Sequence, residues 1–270
     1  MTSDAAVTSS ADVLGMPRLH LRACDSTNLR ARDLAEAGAP HGTLVTAGEQ
    51  RAGRGRQGRT WSAPAGTALL CSLVLRSPPP LLSLIAGLAV ADVARAELAG
   101  AGAAGAESAG VGAARVGAVG VGAAGVEAMV KWPNDVLVGG RKVAGILVEA
   151  RPQHDWAVLG VGINVAMRPD DLPEEVRASA GTLGRGPAAI EPVLEELLDR
   201  LGVWLAAPTA AILEALRERD ALRGRPVRWG GGAGIGAGID ERGRLLVADD
   251  AGRRLALEIG EVHLREAGSS

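Results

Sequence analysis

The sequence predicts an α/β (α+β) chain, a mixed β-sheet flanked by helices followed by a small all-β barrel. Three observations predict it. Up to about Ala221, apolar runs with strand character alternate with stretches of helical spacing. After Gly224 the texture changes to short strands separated by Gly-rich or Asp/Gly turns, the pattern of a small barrel. With five Trp and no Phe or Tyr in 270 residues, the core has to be packed with Leu, Val, Ile and Ala.

The elements follow in order. The first 18 residues, polar and small, are expected to be a disordered tail, with a catalytic unit over 19–221 and the barrel over 222–270. "LHLRACDSTN" alternates as a strand and runs into a helix cap. "LRARDLAEAGA" has helical spacing and is closed by Gly38 and Pro40. "GTLVTAGEQ" and the strongly apolar "TALLCSLVLR" are strands, and "SPPP" breaks the chain before a helix over Leu81 to Leu98. From 99 to 128 the chain is an Ala/Gly/Val repeat with three charged residues, read as a flexible surface insertion. "MVKWPNDVLVGGRKVAGILVEA" is a strand, a hairpin turning at Gly139-Gly140 and a second strand. "DWAVLGVGINV" is a further strand whose glycines allow close approach by backbone or ligand. A loop-rich stretch and two helices, "EPVLEELLDRLGVWLAA" and "PTAAILEALRER", precede the barrel.

The 29 basic and 31 acidic residues nearly cancel to a formal charge of -2, so neither DNA nor a membrane surface is an electrostatically favoured partner. Two cysteines, Cys24 and Cys71, make neither a disulfide framework nor a metal cluster, and read as buried thiols in a reducing cytoplasm. The amino terminus has no secretory pattern, and the longest apolar run, Leu81 to Ala94, is interrupted by Asp92 and is shorter than a span of roughly 20 residues.

"AGRGRQGRTW" satisfies G-x-G-x-x-G between Gly53 and Gly58 but is not a dinucleotide turn. The segment after Gly58 contains Pro64 and Gly66 and opens no helix, and Arg54, Arg56 and Arg59 stand where backbone would approach pyrophosphate. It is a glycine loop with multidentate donors suited to a phosphate or carboxylate; a solvated basic loop is the alternative. Three other stretches stand with it: "DSTN" at Asp25 to Asn28, "KWPNDVLVGGRKVAGILVE" at Lys131 to Glu149, and "GVGIN" at Gly160 to Asn164.

In this order and at these intervals the four stretches resemble biotin-protein ligases, from about Leu19 to the carboxyl end. The resemblance implies a class II synthetase-like ligase core with an SH3-like terminal barrel. It also implies ATP-dependent transfer of biotin, through biotinyl-5'-adenylate and with Mg²⁺, to a lysine of the biotin carboxyl carrier domain of an acyl-CoA carboxylase. It places Ser26, Thr27, Asn28 and Gln50 at the biotin head. Arg54, Gly55 and Arg56 fall in a ligand-closing loop, and Lys142 lies at the biotin carboxylate and the adenylate. Lys142 and Arg56 are the expected catalytic residues. Arg59, Trp61, Lys131, Asn134, Asp135 and Asn164 are assigned to the nucleotide side, with no metal ligand assigned and Asp135 the one candidate. On their residues alone, "DSTN" is also a helix cap, Trp61 a core Trp, and Asn134 and Asp135 turn residues. No histidine is assigned a catalytic role, and a cytoplasmic monomer or weak homodimer is expected.

A lipoate-protein ligase or octanoyltransferase of the same fold is the alternative, disfavoured by "GRGRQGRTW" with "KWPND". A biotin-operon repressor is disfavoured because only 18 tail-like residues precede the first strand. The insertion departs from the family pattern. Because such a repeat offers little to bury and loop length costs only logarithmically, replacing Gly100 to Gly125 with a short Gly/Ser linker is expected to leave ligation near wild type. Loss of folding or activity would show that the segment packs.

Overall fold

The computed structural model describes residues 13–107, 127–172, 174–249, 251–258 and 262–264. Its principal layer is a seven-stranded sheet: β1 (Arg18–Leu21), β2 (Leu44–Ala47), β3 (Ala68–Arg76), β4 (Ala128–Lys131), β5 (Asp135–Val138), β6 (Arg141–Arg151) and β7 (Trp156–Asn164). The spatial order is β1-β2-β3-β7-β6-β5-β4. Only β1 and β2 are parallel; every other neighbouring pair is antiparallel, so the sheet is mixed as expected.

The central strands explain the layering. Leu69, Cys71, Leu73 and Leu75 of β3 and Leu159, Val161 and Ile163 of β7 occupy every second position. All of these point into one apolar cluster shared with α2 (Leu82–Glu107) and α4 (Ile190–Ala206). The period of two sends the intervening residues to the opposite face. There α1 (Thr27–Glu36) covers only one end, packing Ala31 and Ala35 on Val45, Val74 and Val158. The remainder of that face carries Ser72, Gly160, Gly162, Gly145 and Glu149, and it is where a ligand can lie.

A short helix α3 (Glu174–Arg177), α4 and α5 (Thr209–Glu218) lead into the second sheet. It contains β8 (Pro226–Trp229), β9 (Gly232–Ile239), β10 (Leu245–Ala248), β11 (Arg254–Leu257) and β12 (His263–Leu264), in the order β11-β10-β9-β8-β12 with every pairing antiparallel. The expected barrel is thus a five-stranded sheet whose closure is not among the described pairings. Its Val227, Ile239, Leu245 and Val247 belong to the same apolar cluster as the main sheet, so the two sheets share one core.

Three features differ from expectation: the stretch read as one strand before Gly139-Gly140 is two antiparallel strands, β4 and β5, and two boundaries move. Helix α2 runs to Glu107 rather than Leu98. The Ala-rich beginning of the repeat extends an existing helix, which is easier than nucleating one. A linker replacement therefore has to begin after Glu107; residues 108–126 lie outside the described residues. At the amino end, 13–17 are not tail: Gly15 donates its N–H to Gly42 O at 2.9 Å, and Gly15 lies against Leu198. Residues 1–12 lie outside the described residues.

Trp132 ties the sheets together. Its indole Nε1 donates to Gly243 O at 3.0 Å in a buried setting, at a turn organised by Asp240, whose Oδ1 accepts from Arg242 N and Arg244 N. Among the described residues no helix is long and apolar enough to cross a membrane. Both cysteines are free and buried, and burial pushes the Cys71 thiol up to about 12, which leaves it protonated and unreactive. Changing Trp132 to Phe keeps an aromatic ring but removes the indole N–H and part of the buried volume, and it strands the Gly243 carbonyl. An unfolding free energy lower by about 1–3 kcal/mol is expected in urea titration. Unchanged stability would show that the carbonyl finds another partner.

Candidate active site

The site begins with the bare face of β7. Gly160 and Gly162 lie opposite Ser72 and Leu70 on β3 and opposite Leu147 and Gly145 on β6. A Cβ on Gly160 would stand 1.9 Å from Asn28 Oδ1. One on Gly162 or Gly145 would meet the Trp61 ring at 2.6 or 2.8 Å. The glycines are required by close approach, not by dihedral angle.

At one end of this floor the "DSTN" residues form a hydrogen-bonded group. Ser26 occupies the N-cap position of α1 but makes no side-chain capping bond. The cap is supplied by Gln50, whose Oε1 accepts from Thr27 N at 2.7 Å and Thr27 Oγ1 at 3.0 Å. Asn28 Nδ2 donates to Glu149 Oε2 at 2.9 Å and faces Leu147 O at 3.4 Å. Because both neighbours are pure acceptors, the amide orientation is set, and Asn28 Oδ1 must accept. Ser72 Oγ, 2.7 Å away, donates to it. Thr27 Oγ1, whose own proton goes to Gln50, accepts there: Ser72 Oγ lies 2.8 Å from it and shares its one proton between Thr27 Oγ1 and Asn28 Oδ1. Ser26, Thr27 and Asn28 are almost wholly buried. A ligand at this end meets directional donors and acceptors in a dry setting, where unpaired polar groups are costly.

The other end is cationic. Lys142 Nζ is 2.6 Å from Asp135 Oδ1 and Lys131 Nζ is 3.5 Å from Asp135 Oδ2. A bulge places Lys142 there. Val136 pairs with Ala144 and Leu137 with Lys142, so Val143 is the extra residue and turns into the core. Without that bulge, Lys142 would share the face of Ala144. Asn134 Nδ2 donates to Ile146 O at 3.1 Å, and its Oδ1 accepts from Arg56 Nη1 at 3.2 Å.

Over the floor lies the arginine loop. The expected ligand-closing loop is a small hairpin here: Arg54 bridges Thr60, Trp61 N donates to Gly53 O at 2.9 Å, and Gly55 N donates to Arg59 O at 2.7 Å. Its tip is a 3-10 turn over Arg56–Gly58, with Gln57 at φ 54°. Arg54 reaches Glu149, with Nη1 2.9 Å from Oε1. Trp61 lies across Gly145 and Gly162 with Lys142 Nζ 5.5 Å from its ring centroid, and its buried Nε1 has no partner in the structure. It therefore sits mid-floor, between the polar and cationic ends.

The structure thus brings together Ser26, Thr27, Asn28, Gln50, Arg54, Arg56, Trp61, Lys131, Asn134, Asp135 and Lys142. Arg59 is on the exposed side of the hairpin, its Nε 3.5 Å from Arg56 O. Asn164 is drawn elsewhere: its Nδ2 donates to Gly181 O at 2.8 Å, pinning the 180–183 segment against β6. Two site residues escaped the sequence reading. Ser72 lies inside an apolar strand, with only its polarity at a core-like position to signal it. Glu149 ends the "GILVE" motif as an ordinary strand-end acid.

Comparison with known proteins agrees with this geometry. The model of the biotin/lipoate A/B protein ligase family matches residues 21–165. A biotin--[acetyl-CoA-carboxylase] ligase of Paracoccus denitrificans is 35% identical over 253 residues, covering 86% of this chain and 94% of that protein. The bifunctional ligase/repressor BirA of Bacillus subtilis is 34% identical over 200 residues, 71% of this chain, which spans about half (51%) of that longer protein. A biotin protein ligase from Aquifex aeolicus, solved with biotin and ATP, superposes with a TM-score of 0.71 at 26% identity, over 93% of this chain and 99% of that one. Changing Gly160 to Ala is expected to displace Asn28 and to weaken binding of biotin, used as the probe, by tenfold or more, about 1.4 kcal/mol, in calorimetric titration. Undiminished affinity would place that ligand elsewhere. The motifs, the sheet and the length of the match together make this chain a member of the biotin/lipoate A/B protein ligase family.

Proposed function

We propose that the chain activates biotin with ATP and transfers it to a lysine of a biotin carboxyl carrier domain. One observation carries this reading: a single glycine floor joins a compact group of oriented donors and acceptors to a cluster of cations under an arginine hairpin. A ureido ring offers a carbonyl acceptor and two N–H donors, which Ser26, Thr27, Asn28 and Gln50 match. A plain acyl chain carries no polar head that could exchange into that network, so a lipoyl or octanoyl substrate is disfavoured.

In the first step a biotin carboxylate oxygen attacks the α-phosphorus of ATP. The bond to the bridging oxygen breaks, and pyrophosphate leaves. Two anions have to approach, and Lys142 is set to draw the carboxylate to the floor while Arg56 and Lys131 offset charge growing on phosphate oxygens. Asp135, between two ammonium groups, holds Lys142 in position. In the second step the carrier lysine nitrogen attacks the acyl carbon, AMP departs, and the ammonium formed loses its proton to solvent. Roughly one in 2,500 such lysines is neutral at pH 7, so the reactivity of the mixed anhydride drives this step.

Mg²⁺ belongs to the same proposal. Among the described residues no group of three or more His, Cys, Asp or Glu side chains could hold a metal ion, and Asp135 is already bonded to two lysines. Mg²⁺ would then be held through the triphosphate oxygens and would offset their charge. We also assign residues from about 222 onward to a terminal unit that packs on the main sheet through their common core, and the reaction to the cytoplasm.

The test is incubation of the protein with ATP, Mg²⁺ and a carrier domain, with either biotin or lipoate. A mass gain equal to biotin on one lysine is expected; a lipoyl gain would favour the other branch of the family, and no gain with either would overturn the reading. Changing Lys142 to Gln is expected to lower adenylate formation by about 10²–10³-fold, the scale of a lost preorganised donor. Pyrophosphate release at the wild-type rate would remove Lys142 from that role.

A further inference from the structure

We propose that Glu149 is a positioning residue that latches the arginine hairpin onto the polar end of the floor and so sets how long the acyl-adenylate is retained. This rests on the biotinyl-adenylate reading above.

Glu149 stands on β6 opposite Val158, on the same face as Gly145. Its two oxygens serve two different parts of the molecule. Oε1 lies 2.9 Å from Arg54 Nη1, at the stalk of the hairpin. Oε2 accepts from Asn28 Nδ2 at 2.9 Å, on helix α1. One half-buried carboxylate therefore joins strand, helix and hairpin, and the same group sets the polarity of the Asn28–Ser72 pair. Arg54 precedes the hairpin tip, and Trp61, on the returning strand, lies directly on Gly145 and Gly162. The hairpin cannot lift from the floor as a unit without parting Arg54 from Glu149. A charge-assisted pair with one partner fixed by a buried network loses little freedom on forming, so it contributes more than two mobile surface ions would. At the opposite end, Arg56 meets Asn134 through a neutral acceptor.

The inference predicts two measurable consequences. In ligand-free protein, hydrogen exchange of the Gly53–Trp61 backbone amides is expected to quicken by about five- to tenfold in Glu149→Gln and in Arg54→Ala, with exchange in β3 and β7 unaltered. Glu149→Gln keeps an acceptor for Asn28, and Arg54→Ala leaves the Asn28–Glu149 bond in place, so the two reach the same pair from opposite sides. Release of preformed biotinyl-adenylate, followed by chase, is expected to quicken by a similar factor in each, and the double variant to release no faster than Arg54→Ala alone. Wild-type exchange in Glu149→Gln, additive release rates, or quickened exchange spread through the whole sheet would each overturn the latch. Failure of the wild type to form the adenylate would instead overturn the functional reading, and the exchange measurement would still decide the latch.

Discussion

Strand β7 has to satisfy two faces at once, and the rest of the molecule follows from how it does so. Toward α2 and α4 it presents Leu159, Val161 and Ile163, all essentially without exposure. Toward the site it presents Gly160 and Gly162, between which nothing protrudes. A side chain at either glycine would collide with Asn28 or Trp61. The aliphatic face anchors the strand in a core that has no Phe or Tyr, and that rigidity lets the other face be bare. A pocket floor made of backbone holds its shape only where the layer beneath is close-packed.

On that floor, polarity is sorted by position. The head group of residues is dry, and a chain of constraints orders its protons: the Glu149 carboxylate sets Asn28, Asn28 sets Ser72, and Gln50 takes the N–H that a helix cap would otherwise take. The far end gathers cations around Asp135. Lysines this close would repel one another, and the carboxylate between them both offsets that repulsion and aims Lys142 along the floor. A ligand that is neutral and hydrogen-bonding at one end and anionic at the other matches this layout. The hairpin closes it, touching each end through a different arginine.

The two sheets are also coupled. The indole of Trp132, one residue from Lys131, is bonded to the Gly243 carbonyl, and the apolar cluster runs without interruption between the layers. The β4–β5 hairpin that presents Lys131, Asn134 and Asp135 is thereby braced from behind by the terminal sheet.

Much of this was legible in the sequence. The apolar run "TALLCSLVLR" and the glycine-bearing "DWAVLGVGINV" mark strands, and the glycines mark a place of close approach. Four motifs in fixed order mark the site because each supplies a residue type that the chemistry needs. What the sequence left open depends on contacts far apart in the chain. The bulge at Val143 decides which face Lys142 joins, and a bulge has no local signature in "GRKVAG". Ser26 looks like a helix cap, yet the cap is Gln50, because only the fold brings that side chain to Thr27. Ser72 and Glu149 read as ordinary strand residues until Asn28 is laid between them. Asn164, assigned to the nucleotide from its motif, also donates to the Gly181 carbonyl, a contact its motif does not announce. Local pattern determines which elements form and which way their side chains alternate, whereas register, bulges and long-range hydrogen bonds decide which of those side chains meet.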